Sequence, residues 1–264
     1  MTAFAVFRLG SSSIAKLKAY RFEKGMTVGS ILNDTLQEVA SALSVKAPVL
    51  YIFPHEDRNA LCTFAPKLGW IVLLSDSLEK ADDDERRSVL AHELAHQKCL
   101  HTLCIFIGVA LITLLGLSTH HLCEMKGLEL FTSLLITSAT LAVGVASMGW
   151  FARQNEFHAD AIATAMNGKE GIVNNLLSRR IPMLAAIGHK VAPDLSLEHL
   201  EQHFKDSPKR IQLVLAMESA LTVDAKAKGF FSKLNLLFSA SLDPHPTFAQ
   251  RLKNMERIET LIAA

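Results

Sequence analysis

Cysteine is scarce and unpatterned: four residues in 264, at Cys62, Cys99, Cys104 and Cys123, with no CxxC pair. Such spacing supports no disulfide framework and reads most simply as reduced thiols in a cytosol-facing protein. A surplus of either charge is missing too. Twenty-seven Lys+Arg against 26 Asp+Glu leave a formal charge of +1. No basic excess therefore argues for nucleic acid, and no acidic tail for a scavenger of cations. The first 25 residues carry Arg8, Lys16, Lys18, Arg21, Glu23 and Lys24 without an apolar core of signal-peptide length. A cleaved secretory signal is not expected. Internal repeats and low-complexity linkers are absent as well. What is abundant is apolar: 50% of the residues are hydrophobic and 20% charged, with a mean hydropathy of +0.25. That excludes a disordered chain and leans towards a membrane-associated one, of a length that suits one large domain or two small ones.

Two stretches hold no charged side chain, residues 102–119 and 130–152. As helices they reach about 27 and 34 Å, against a hydrocarbon core of about 30 Å. Between them, residues 120–129 bring two histidines, two glutamates, a lysine and a glycine, which suit a wet turn. The pair reads as a transmembrane helical hairpin. The alternative is a hairpin buried in a soluble core, for which Ser133, Thr137, Ser138, Thr140 and Ser147 speak.

Around this hairpin the chain reads as α+β, mainly α-helical. Ile31, Leu32, Leu36, Val39, Ala40 and Leu43 recur at helical spacing over residues 28–43. Residues 49–53 and 70–74 are short, β-branched-rich runs bounded by Pro and Gly, which predicts strands. Asp82 to Glu85 then open a helix, with acidic residues complementing its dipole and a spacing like a capping box. That helix runs to about Leu100. Helical patterns resume from Arg153 to Met217, and a last helix covers about Pro246 to Ile262.

The chemistry lies in His92-Glu93-Leu94-Ala95-His96. Positions four apart share a helix face, so both imidazoles can bind one tetrahedral Zn²⁺. Glu93 stands beside the metal, not on it, as a base for an activated water. A hydrolytic zinc needs a third protein ligand, and RQNEFHAD (153–160) supplies it after the hairpin. Glu156 would bind the metal while Asp160, one turn on, accepts the second N–H of a zinc histidine. His158 points elsewhere, as a solvated or supporting histidine. The plainer reading of Glu156 and Asp160 is a charged helix start paired with Arg153.

Together these blocks resemble the HtpX-type membrane zinc endopeptidases, gluzincins related to the CAAX prenyl proteases. Asn59-Ala60 is similar to that family's NA motif, and residues 70–78 (WIVLLSDSL) to its strand with a leucine-bearing turn. LAHELAH (90–96), RQNEFHAD and the Asp243-Pro244-His245-Pro246…Arg251 ending follow in the family's order. The hairpin sits between HExxH and the glutamate, as it does there. No pair of membrane helices is visible before residue 100, where HtpX begins with one, and Ala152 stands where relatives often have Ser.

The resemblance implies a zincin-like catalytic domain with a small sheet, one Zn²⁺ per chain, and a protein or peptide substrate. It implies that the strand at Trp70 to Leu74 takes the substrate as an added β-strand, making Asn59, Ala60, Trp70 and Val72 the substrate contacts. It brings His245 and Arg251 towards the metal. His245 would stabilise the oxyanion or fill zinc's fourth position at rest, and Arg251 would pair with Glu156 or Asp160. The expected division is residues 1–101, a transmembrane hairpin at 102–152, and 153–264 completing the catalytic domain. Arg86, Arg87, Lys98 and Arg153 flank the spans on one side, against Lys126 with Glu124 and Glu129 in the turn. The positive-inside rule then puts the catalytic domain in the cytoplasm, on a bacterial inner membrane, with the lipid bilayer as a partner. Rival readings are a soluble metallopeptidase with a buried hairpin and a catalytically silent membrane-protein scaffold, which would have no need of Glu93.

Overall fold

The computed structural model describes residues 31–53, 60–65, 69–191, 194, 196–227 and 245–263. Asn59 lies outside the described residues. The first amphipathic run forms α1 (Ile31–Ala42), which turns Leu32, Leu36 and Val39 inward. Strands β1 (Val49–Phe53), β2 (Ala60–Ala65) and β3 (Gly69–Ser75) make one sheet in the order β1-β3-β2. β1 runs parallel to β3, while β2 is antiparallel to it. β3 is thus the central strand. Its Val72 and Leu74 enter the main core, while Ile71 and Leu73 meet Tyr51 in a smaller cluster on the other face. Burial on both faces is why the run reads as almost continuously apolar.

The sheet order corrects one expectation. Trp70 and Val72 pair with β2 on one side and Val72 with β1 on the other, so the β3 backbone has no open edge for a peptide. The strand beside the cleft is β2, which the sequence pattern did not separate from its surroundings.

After a short 3₁₀ turn, α2 (Asp83–Lys98) carries the HExxH residues. Its cap is as expected: Asp82 Oδ1 accepts the Glu85 N–H at 2.7 Å. The helix stops two residues early, because Leu100 adopts a left-handed backbone (φ 54°, ψ 30°) and turns the chain into α3 (His101–Met125). α4 (Leu130–Asn167) returns antiparallel to it and runs unbroken through residue 152 into RQNEFHAD. α5 (Glu170–Val191), α6 (Leu197–Asp206), α7 (Arg210–Ala227) and α8 (Phe248–Ala263) follow. Leu90 and Leu94 of α2, Leu177 and Leu184 of α5, and Phe248 and Met255 of α8 close the main core with α1 and β3. α8 starts with a reciprocal cap, Thr247 Oγ1 accepting from Gln250 N and Gln250 Oε1 from Thr247 N.

α3 and α4 are both long and apolar enough to cross a membrane, and just 6% of the most apolar window of each is buried within the protein. A core helix hides its apolar face, so this exposure speaks for the hairpin reading over the soluble-core alternative. Leu111, Leu115, Phe131 and Val143 all point outward. Where the two helices touch, they do so through small residues. A Cβ on Gly116 would come within 2.6 Å of Leu141, and one on Gly144 within 2.8 Å of Ile112. Close backbone approach of this kind is how helices associate where no hydrophobic drive exists.

Candidate active site

α2, α4 and β2 line a cleft of about 430 Å³, with the start of α3, the first half of α5, and α8 with the segment leading into it completing its walls. His92 and His96 project from one face of α2, and their Nε2 atoms lie 3.3 Å apart. Glu156 reaches them from α4, with Oε2 3.7 Å from His92 Nε2 and Oε1 3.6 Å from His96 Nε2. All three ligand atoms lie within 4.8 Å of one another. Donors each about 2.0–2.1 Å from a tetrahedral zinc sit about 3.3 Å apart, so the set fits that ion with small adjustments. A donor set of two imidazoles and a carboxylate is also the chemistry that zinc accepts.

The supporting side chains come from α4 and α8. His92 Nδ1 lies 2.9 Å from Asp160 Oδ1, at ion-pair distance but off the line of an ideal hydrogen bond. Asp160, fully buried, is gripped by Arg251, whose Nε donates to Oδ2 at 2.7 Å and whose Nη2 donates to Oδ1. Arg251 Nη1 also stands 3.8 Å from Glu156 Oε2. The pairing expected of Arg251 is present, and it chooses chiefly Asp160. His245 reaches the same place from the loop before α8, with Nδ1 3.4 Å from Glu156 Oε2. His158 is exposed and outside the ligand set, as its position two residues from Glu156 predicts.

Glu93 turns away from the imidazoles towards the sheet. Its Oε2 accepts the main-chain N–H of Cys62 in β2 at 2.6 Å. Burial pushes its carboxyl above the usual carboxylate range, with the neighbouring His92 working against that. Burial opposes a charged His92, but Asp160 outweighs it and raises that imidazole. His96 has no such carboxylate behind it. Burial first, and then repulsion from His92, hold it down to about 3, so its lone pair is free for a metal.

Two contributors went unseen in the sequence. His101 places Nδ1 2.9 Å from His96 Nδ1. On a continuous helix a residue five positions on lies some 140° round the axis, and the left-handed Leu100 is what swings it back. The other is the role of β2, whose Ala60, Leu61, Cys62 and Thr63 line the cleft; the resemblance implies a strand after Asn59-Ala60 but gives the template role to Trp70 to Leu74. Ala60 keeps its place beside the site, while Trp70 and Val72 belong to the strand behind it.

An HExxH helix, a glutamate from a second helix and a strand edge across a shared cleft are the parts from which a metallopeptidase site could be built. Sequence comparison then fixes the family. The chain belongs to peptidase family M48, whose model matches residues 30–259. Protease HtpX of Chromohalobacter salexigens is 32% identical over 162 residues, covering 55% of this chain and 54% of its own length. Protease HtpX of Hahella chejuensis is 28% identical over 161 residues, covering 55% of each. The chain thus spans about half the length of these relatives. S. mikatae Ste24p is similar in structure with a TM-score of 0.51 at 18% identity, covering 87% of this chain and 50% of that one. That likeness is one of fold.

Proposed function

We propose that this chain is a zinc-dependent endopeptidase of the membrane, cleaving membrane or misfolded proteins. The observation that carries the reading is the convergence of His92 Nε2, His96 Nε2 and the Glu156 carboxylate at spacings of 3.3–3.7 Å. These three residues would hold the ion. Zinc, when bound, supplies a Lewis acid that polarises a carbonyl and makes water a usable nucleophile near neutral pH.

The protein does the rest. Glu93 takes the proton from the attacking water on its carboxylate and delivers it to the leaving amine, as a general base and then a general acid. Its raised affinity for a proton, caused by burial, suits that exchange. Asp160 holds the His92 ring through Nδ1, and the Arg251 fork holds Asp160. His245, beside Glu156, donates to the oxyanion as it forms. A substrate backbone lies along the outer edge of β2, where Cys62 already offers its N–H to Glu93. Main-chain pairing of that kind makes little demand on substrate sequence. The exposed apolar faces of α3 and α4 support insertion in a bilayer, with the charge balance around them favouring a cytoplasmic catalytic domain.

Two variants test the assignment together. Glu93→Gln keeps its zinc and loses nearly all peptide hydrolysis, whereas Glu156→Ala loses zinc and activity alike. Full zinc occupancy in Glu156→Ala, or more than about a tenth of wild-type activity in Glu93→Gln, would sink the scheme.

A further inference from the structure

Metal-binding side chains meet at a second place. At the left-handed corner between α2 and α3, Cys99 and His101 come up against His158 of α4. One ligand atom from each, a sulfur and two imidazole nitrogens, lies within 4.8 Å of the others. The rings of His101 and His158 are 5.6 Å apart. Cys99 is a free, half-buried thiol, His101 is buried and His158 is exposed, so the group is open to solvent on one side. A thiolate with two imidazoles is a donor set for a borderline-soft ion of the zinc class, with room for a solvent ligand.

We infer that Cys99, His101 and His158 form a second metal site, and that filling it weakens the first. Cys99 would bind as the thiolate, its proton leaving to water. The coupling follows from counting lone pairs and rests on the metal-site reading of His92, His96 and Glu156. His96 turns Nε2 towards His92 and Glu156, so with a metal there its Nδ1 carries the proton and needs an acceptor. That acceptor is His101 Nδ1 at 2.9 Å. A neutral imidazole has a single lone pair. If His101 gives it to a second ion, through either nitrogen, His96 loses its acceptor or faces another N–H. Outer partners of this type change metal affinity or activity about 10–100-fold.

Cobalt separates the two sites, because the set at His92, His96 and Glu156 contains no sulfur. Metal-free full-length protein in detergent is titrated with Co²⁺ and the near-ultraviolet thiolate-to-cobalt charge-transfer band is followed. The band is expected in wild type, in Cys104→Ser and in Glu156→Ala. It disappears in Cys99→Ser, and His158→Ala needs at least about tenfold more Co²⁺ to raise it. No band in wild type, or a band that survives Cys99→Ser, overturns the site. Should Cys99→Ser not fold, protection of wild-type Cys99 from alkylation by Co²⁺ serves instead, and absence of protection is equally fatal. Excess Zn²⁺ then tests the coupling: the concentration that inhibits peptide hydrolysis rises at least about tenfold in Cys99→Ser. Superimposable inhibition curves would overturn the coupling. Loss of all hydrolysis with the cobalt band intact would count against the peptidase reading and leave the second site standing.

Discussion

Arg251→Met isolates the part of the site that is hidden from substrate. Arg251 and Asp160 are both buried, and two charge-assisted hydrogen bonds join them. Removing one member of a buried ion pair costs about 3–5 kcal/mol, because the other charge stays in a poor solvent. His92 remains 2.9 Å from Asp160 and offsets part of that, which favours the lower end, about 3 kcal/mol. For a chain of this size each kcal/mol moves the unfolding midpoint by roughly 2–4 °C, so a fall of about 6–12 °C is expected. Asp160→Asn leaves Arg251 with Glu156 at 3.8 Å as a second partner and falls less. The double variant loses less than the two singles added together, because neither then strands a charge. Thermal unfolding in detergent reads the midpoint, and metal analysis reads zinc on the same samples. An Arg251→Met protein within about 2 °C of wild type, corresponding to about 0.5–1 kcal/mol, would refute the reasoning.

His245→Ala should lower kcat by about 10²–10³ while zinc content stays constant, if the imidazole donates to the oxyanion. A rise in activity would mark it instead as a cap on the resting metal. Gly171→Ala should destabilise the protein, since its Cβ would lie 2.4 Å from the Asp84 carbonyl oxygen and 2.4 Å from Ser88 Oγ. Overpacking costs about 1–3 kcal/mol, more than the helix propensity gained at the first turn of α5, and an unchanged midpoint would contradict this. Orientation is best read by Lys126→Cys, because Cys123, in the last turn of α3, is buried and would label poorly from either side. An impermeant thiol reagent added outside intact cells should reach position 126, and protection there would reverse the topology.

Much of this was legible from local signals. The amphipathic spacing of Leu32, Leu36 and Val39, the Asp82 cap and the charge-free stretches each act within one element, so these local signals located α1, α2 and the hairpin. The four-residue spacings of His92 with His96 and of Glu156 with Asp160 likewise survive folding unchanged. What the pattern could not reveal depends on how elements meet. Leu61-Cys62-Thr63-Phe64 has no β-branched run, and its strand exists because β3 and α2 give it two surfaces to lie against. Mistaking β3 for the template has the same origin, since a strand's place in a sheet is a tertiary fact. His101 required the unusual backbone of a leucine, which no spacing rule anticipates.

α4 is a single rod from Leu130 to Asn167, and it contains no proline. With residue 152 at the end of its uncharged stretch, Glu156 stands about 6 Å further along the axis. A headgroup layer is itself about 5–7 Å deep on each side of the hydrocarbon. On the membrane reading proposed above, with residue 152 at the hydrocarbon edge, Glu156 would stand level with the outer rim of the lipid headgroups. A straight helix has little give along its length, and α2 packs directly on it, so the site would rise or sink with the hairpin as one piece. On that reading a polypeptide lying flat on the lipid surface would meet the cleft at the right height, while the same segment folded into a globule well above the membrane would not. Selection of substrate would then begin with altitude, before any side chain is read.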